Sequence, residues 1–296
     1  MKKVWFLGLL AAAILAGCSD NDDNGGDEVK PGGGQVESPY LPQRIAQVKV
    51  FKDGEKSDSV CYYYDTRGRV SLVEPYNKSG MYNDWDPSSR DAFLYFEDYL
   101  IEDDAKFFYN IQNGKVVTGY DDHRDKVKYE YEGDYLQSLQ VISTFASDRE
   151  DIDTLMMDFS FLKDNLERYT MDRNDHRFQV VFEYGNHANM LNIDMFYFLM
   201  RYVFYFHDLS GEVFWGINYY YREWEEEFLY PWLLGIAGER SACLPESMEV
   251  TRSDGDDKET RAYTCKYTMK GEYVSEMAIL DAVGKEAYRL VFTYEE

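Results

Sequence analysis

The chain predicts a mainly β fold, an antiparallel meander carrying one or two short packed helices, and three observations lead there. First, apolar and polar residues alternate with period two in several segments. Val127, Tyr129 and Tyr131 interleave with Lys126, Lys128, Glu130 and Glu132, and the same rhythm returns at Phe178, Val180, Phe182 and Tyr184. It recurs at Tyr263, Cys265, Tyr267 and Met269, and at Tyr288, Leu290, Phe292 and Tyr294. Successive strand residues point to opposite faces, so each segment buries one face and wets the other, the pattern of antiparallel sheets. Second, turn chemistry separates the runs: Asn113-Gly114 suits a two-residue hairpin, and Asp65-Thr66-Arg67-Gly68 and Lys270-Gly271 supply glycines for positive φ. Third, aromatic residues make up 17% of the 296, with 27 Tyr and 18 Phe. Amphipathic rings of this kind suit half-buried strands.

Taken from the N-terminus, Met1-Lys2-Lys3 is a basic start, and residues 4–15 are apolar with small residues toward the end. That is the layout of a secretory signal peptide, too short for a spanning helix of about 20 residues. It closes on Leu15-Ala16-Gly17-Cys18, which resembles the lipobox of bacterial lipoproteins and implies removal of residues 1–17 and acylation of Cys18. Several acyl chains on one residue hold a membrane stably where one chain does so only marginally. Residues 18–40 follow as a tether: Asp20, Asp22, Asp23, Asp27 and Glu28, then Pro31-Gly32-Gly33-Gly34, with almost nothing to bury. A flexible chain from Ser19 to Tyr40 spans on the order of 25 Å. Its acidic start resembles the surface-export signal of lipoproteins in the Bacteroidota. The expected location is therefore the outer membrane, facing the cell exterior, with the periplasmic face as the alternative.

Residues 41–296 form a single β domain. Leu41-Pro42 and Leu244-Pro245 each open a strand, with Tyr64 and Tyr267 at one matching offset and Gly68 and Gly271 at another. The spacing predicts one hairpin unit used twice. Residues 190–206 are apolar nearly all round, as a buried helix or paired strands would be. Pro231 ahead of Trp232-Leu233-Leu234-Gly235 reads as a short helix. These pieces are placed to plug or cap the concave side of a curved sheet.

The Leu-Pro strand starts, the hairpin from Tyr64 to Val70 and the run Leu234-Gly235-Ile236-Ala237-Gly238-Glu239-Arg240-Ser241 leading into Leu244-Pro245 resemble, together with the lipobox, a family of Bacteroidales lipoproteins of unknown function with a porin-like fold. The resemblance spans residues 41–296 and implies a strongly curved sheet, a half-barrel or barrel, with no catalytic residues to carry over. Residues 205–228, rich in Tyr and acid, match no part of that pattern.

Charge and motifs narrow the function. A formal net charge of −24 excludes an ordinary nucleic-acid binder and disfavours an anionic lipid surface. The four His, at 123, 176, 187 and 207, show no metal-ligand spacing, and there is no Gly-x-Ser-x-Gly elbow. Asp254, Asp256 and Asp257 are a weak calcium candidate that lacks EF-hand spacing, and a β-turn is the plainer reading. With Cys18 acylated, Cys61, Cys243 and Cys265 remain; Cys265 alternates into a buried face, and a Cys243–Cys265 disulfide is an open alternative. The aromatic concentration at Trp215, Tyr219, Tyr220, Tyr221, Trp224, Tyr230 and Trp232 reads as core packing or as a ligand platform. The expected protein has no cofactor and no enzymatic activity, with an uncharacterised hydrolase as the lesser alternative. It binds a glycan or a small apolar ligand as an envelope accessory protein, or else serves as a structural or protein-interaction module of a cell-surface complex.

Overall fold

The structure, a computed structural model, describes residues 43–78, 85–87, 90–102, 107–120, 126–143, 153–173, 176–205 and 227–295. The chain divides into two units, residues 1–41 and residues 42–296. The second is a closed antiparallel β-barrel. Its strands run in chain order: β1 (Ile45–Lys52), β2 (Glu55–Tyr64), β3 (Val70–Lys78), β4 (Trp85–Pro87), β5 (Asp91–Tyr95), β6 (Tyr99–Glu102), β7 (Phe107–Gln112), β8 (Lys115–Tyr120) and β9 (Lys126–Glu132). They continue as β10 (Tyr135–Ser143), β11 (Asp153–Leu162), β12 (Asn165–Arg173), β13 (His176–Ala188), β14 (Cys243–Asp254), β15 (Asp257–Lys270), β16 (Tyr273–Leu280) and β17 (Glu286–Tyr294). Apart from β4 and β5, each pairs with the next, and β17 returns to β1 with Val48 opposite Phe292. The short β4 and β5 both pair with β3, so they share one place and the ring has sixteen positions. Among the described residues closure leaves no long edge strand, which removes the template for unwanted pairing.

Alternation decides which side is wet. The apolar sets read from the sequence all face inward: Val127 and Tyr129 on β9, Phe178, Val180 and Phe182 on β13, and Tyr288, Leu290 and Phe292 on β17 are buried, while Lys126, Lys128 and Glu130 are exposed. Tight turns reverse the chain where the left-handed region is reached. Asn113 (φ 52°) and Gly114 (φ 76°) form the expected two-residue turn, and Lys163 (φ 50°) and Asp164 (φ 62°) do the same without a glycine.

The anticipated hairpin unit recurs more than twice. Tyr64 Oη donates to the Ile45 carbonyl at 2.7 Å and Tyr267 Oη to that of Pro245 at 2.7 Å, each closing the end of one strand over the start of its partner. Tyr95, Tyr131 and Tyr294 repeat the bond to Val70, Val116 and Val274 at 2.7, 2.8 and 2.6 Å. All five lie at the barrel end where β1 starts and β17 finishes.

The same end admits the long β13–β14 connection. Its first part forms α1 (Met195–Leu199), continued by a π-helix (Met200–Tyr205). Its last part forms a 3-10 turn (Glu227–Leu229) and α2 (Tyr230–Leu233) with proline in its first turn. Opposite walls meet this insert: Phe196 packs on Phe159 of β11 and Phe198 on Tyr62 of β2, strands half the ring apart. A single helix can touch both walls only if it lies inside the barrel and the barrel is narrow there. The described parts of the insert thus form a plug, as the apolar run of residues 190–206 suggested. On its way out it seals the end, with Val116 N donating to Ile236 O, Glu239 N to Asp134 O and Ala242 N to Asp164 O.

Gly238 makes that crossing fit. Its φ is +99°, and a Cβ there would stand 2.5 Å from the Asp134 carbonyl oxygen. Gly238→Ala is expected to lower stability by more than about 1 kcal/mol, from left-handed strain plus the backbone clash. Chemical denaturation reads it, with Gly235→Ala as comparison, since that glycine shares a positive φ (+70°) but has open space.

Candidate binding surface

A cavity of about 10 Å³ lies among Leu166, Phe182, Met195, Leu199, Ser241 and Cys243, no more than one water needs. Around it the exit of the plug is pinned by polar groups. Asn192 Oδ1 accepts from Ile45 N at 2.9 Å, Ser241 Oγ accepts from Leu166 N at 3.0 Å and lies 3.1 Å from Tyr184 Oη, and an Arg240 guanidinium N–H donates to the Leu191 carbonyl. Deeper in the barrel, Arg201 Nη1 donates to Tyr197 Oη at 2.9 Å, and its guanidinium lies 5.7 Å from the ring centre of Tyr202. Aromatic groups of its own helix thus help to hold the buried arginine.

Asp194 starts the plug helix. Its side chain accepts from Phe196 N at 2.9 Å as an N-cap. Burial pushes its carboxyl up to about 6, partly offset by the Phe196 N–H and by Arg240. Because the folded-state value lies above the ordinary 3.8, the folded protein binds the proton more tightly. Stability is then greatest below pH 4 as far as this group is concerned, and falls as pH rises toward 6. Asp194→Asn keeps the cap and removes the charge, so it is expected to flatten this dependence and raise the unfolding temperature at pH 7. A thermal melt series from pH 4 to 7 checks it.

The outer wall offers more space. Between β10 and β13 runs an open groove of about 490 Å³ lined by Gln137, Ser138, Asp158, Ser160, Arg168, Thr170 and Arg177, with Phe159 below. Register builds it. Ser138 stands opposite Asp158, and Asp158 opposite Thr170, all outward because Leu139, Met157, Tyr169 and Met171 point in. Thr170 is buried although it faces out, so it forms the floor. Arg177 Nε lies 3.5 Å from Asp172 Oδ1 at one edge. The lining is hydroxyl, amide, carboxylate and guanidinium, a set that recognises hydroxyl-rich ligands through hydrogen bonds. No motif marks these residues, because pairing across four strands brings them together; only their wet positions in alternating strands hinted at a shared face.

The barrel can now be compared with known structures. It covers 86% of this chain and 99% of a porin-like protein from Bacteroides vulgatus, with a TM-score of 0.59 at 12% identity. A porin-like protein from Bacteroides uniformis gives 0.58 at 13%, over 87% of this chain and 99% of that one. The fold is porin-like. Residues 1–19 match the model of the prokaryotic membrane lipoprotein lipid attachment site, so the chain is a lipoprotein held to a membrane through Cys18. No curated protein matches the chain. The porin-like fold has its polarity reversed relative to a membrane porin. Its outer wall carries exposed Lys126, Lys128, Glu130, Arg177, Glu183 and Lys266, and a charge facing lipid at mid-bilayer costs roughly 2–4 kcal/mol for Lys or Arg. Such a wall faces water, while the lumen that is a channel in a porin holds the aromatic plug.

The residues singled out from sequence are dispersed. Trp215, Tyr219, Tyr220, Tyr221 and Trp224 lie outside the described residues. Tyr230 and Trp232 are buried in the plug, Tyr230 edge-on to Phe93 at 5.0 Å and Trp232 5.5 Å from Phe159 and 5.1 Å from Phe196. Asp254, Asp256 and Asp257 sit exposed at the β14–β15 hairpin, where Asp254 Oδ1 lies 3.1 Å from His176 Nδ1. Among the described residues no group of three His, Cys, Asp or Glu is placed to hold a metal ion. Cys61, Cys243 and Cys265 are free thiols, so the Cys243–Cys265 disulfide is not formed. Cys243 opens β14 opposite Ala188, and the pairing of Ser247 with Thr264 sets the two cysteines at different levels of the hairpin. Burial pushes the Cys265 thiol up to about 12, leaving it a small hydrophobe.

Proposed function

We propose that the protein is a non-enzymatic binding protein of the outer membrane, displayed toward the cell exterior, that takes a hydroxyl-rich glycan on the outer wall of its barrel. The observation that carries this reading is the contrast between lumen and wall. The cavity beside the exit of the plug keeps about 10 Å³ among mostly apolar side chains, whereas the wall has a polar groove of about 490 Å³. A small apolar ligand would want the reverse arrangement. Lipid attachment at Cys18 and the tether behind it support a domain held at the envelope and free to reach outward.

Native mass spectrometry of the domain purified from its own host tests for a bound glycan, and titration with the released glycan tests the groove. Arg168→Ala is expected to weaken binding about tenfold, the effect of losing one charged hydrogen-bonding partner. Unchanged affinity removes the groove from consideration. Protease treatment of intact cells checks the orientation: digestion of the domain supports exterior display, and full protection places it in the periplasm.

A further inference from the structure

The seven large hydrophobic side chains most exposed among the described residues are not scattered. Four of them, Leu94 (47%), Phe96 (46%), Tyr99 (40%) and Tyr120 (40%), fall on β5–β8 and the β5–β6 turn. Register aligns them into two outward rows. Leu94 stands opposite Ile101, Ile101 opposite Phe108, and Phe108 opposite Tyr120, one continuous apolar line across four strands. Two residues further along, Tyr99 stands opposite Asn110 and Asn110 opposite Thr118, a line that hydrogen-bonds. Strand spacing puts about 4.8 Å between neighbours in a row, and about 6.8 Å separates the rows.

Each row is internally braced. Phe108 and Tyr120 stack with ring centres 5.4 Å apart and planes at 14°, and Phe96 and Tyr99 stack at 4.3 Å and 10°. Asn110 Nδ2 donates to Thr118 Oγ1 at 2.7 Å, which orients the amide and leaves its oxygen and second N–H for a ligand. The rows end on Lys126 and Lys128 of β9, and Glu97 and Asp98 occupy the opposite turn. Between those limits the strip carries no charge, on a molecule whose formal charge is −24.

An apolar line beside a hydrogen-bonding line is the complement of a sugar ring, whose C–H face packs on aromatic carbon while its hydroxyl rim seeks amide and hydroxyl partners. The missing charge selects among glycans, since an acidic polysaccharide would meet the repulsion of the whole chain. A second copy of this protein would bring the same −24 against itself. A lipid surface would first meet Glu97 and Asp98 at the turn. We infer that the strip over β5–β8 is a binding platform for an uncharged glycan, and that with the groove over β10–β13 it forms one extended site on the outer wall. The inference rests on the glycan reading above and adds both the neutral class and the second subsite.

The experiment is calorimetric titration of the soluble domain, residues 41–296, released by protease from the native lipoprotein, with neutral hexaoses (cello-, malto-, xylo- and manno-) and with polygalacturonate as the charged comparison. The expected result is binding of at least one neutral hexaose, weakened about tenfold by Tyr120→Ser and by Phe108→Ala, with melting temperature held within a few degrees for the exposed Tyr120 variant. The same hexaose is weakened by Arg168→Ala if both subsites are used. Loss with Arg168→Ala but not with Tyr120→Ser overturns the platform and leaves the groove. Loss with Tyr120→Ser but not with Arg168→Ala keeps the platform and removes the groove. Binding of polygalacturonate alone, or of no glycan, overturns the platform, as does a concentration-dependent dimer that Tyr120→Ser dissolves in sedimentation.

Discussion

Replacing Cys18 with alanine is expected to abolish fatty-acid labelling and to move the protein from the membrane fraction into the soluble one. The effect is close to all-or-none because the anchor is the membrane contact that the chain's composition supports. Outside the strip over β5–β8 the described outer wall is charged, the formal net charge is −24 and no helix among the described residues is long and apolar enough to cross a bilayer. Acyl chains contribute about 0.8 kcal/mol per buried methylene, so losing all of them at once removes the whole contribution of the lipid anchor. Metabolic labelling with a tagged fatty acid, followed by fractionation, reads both consequences. Retained labelling in the variant would place the modification elsewhere, against the match of residues 1–19 to the lipid attachment site.

The second large effect lies where wall and plug meet. Tyr169 on β12 is fully buried and its ring reaches both layers, 6.0 Å from Phe178 on the next strand, 5.2 Å from Phe196 in α1 and 6.1 Å from Phe204 in the π-helix. Tyr169→Ala would open a cavity at that junction, and large aromatic-to-alanine changes in cores cost about 3–5 kcal/mol. Against a total stability of roughly 5–15 kcal/mol, much of the margin disappears. Tyr169→Phe has the opposite expectation. The hydroxyl is buried without a hydrogen-bond partner among the described residues, and burial alone drives its pKa well above the ordinary value. Removing it should raise stability by about 1 kcal/mol while the ring stays in place. Urea denaturation of both variants decides the point: a destabilised Tyr169→Phe would mean that the hydroxyl has a partner the packing account lacks.

Much of the barrel was legible in the residues because period-two alternation is local. Lys126 to Glu132 announces its own buried and wet faces whatever it pairs with, and Asn113-Gly114 announces a turn because few other pairs tolerate two positive φ values. Lys163-Asp164 adopts the same turn without that signature; the neighbouring strands impose it, so sequence had no means of marking it. The lipid anchor was legible for a similar reason, since a lipobox is contiguous.

The candidate binding surface was not legible. Aromatic clustering drew attention to Tyr230 and Trp232, yet both are buried where the plug packs on the wall. Clustered rings in sequence do not say whether they face a ligand or each other. The groove joins Ser138, Asp158, Arg168 and Arg177 from four strands, and the neutral strip joins Leu94, Ile101, Phe108 and Tyr120 from four others. Such neighbours are set by register, which a single-residue slip would turn to the other face. Local sequence therefore determined the anchor, the strands and the side each buries. Closure into a ring, the packing of the described parts of the β13–β14 insert inside it, and the side chains that share the outer surface were decided only by tertiary structure, because each depends on pairings between residues far apart in the chain.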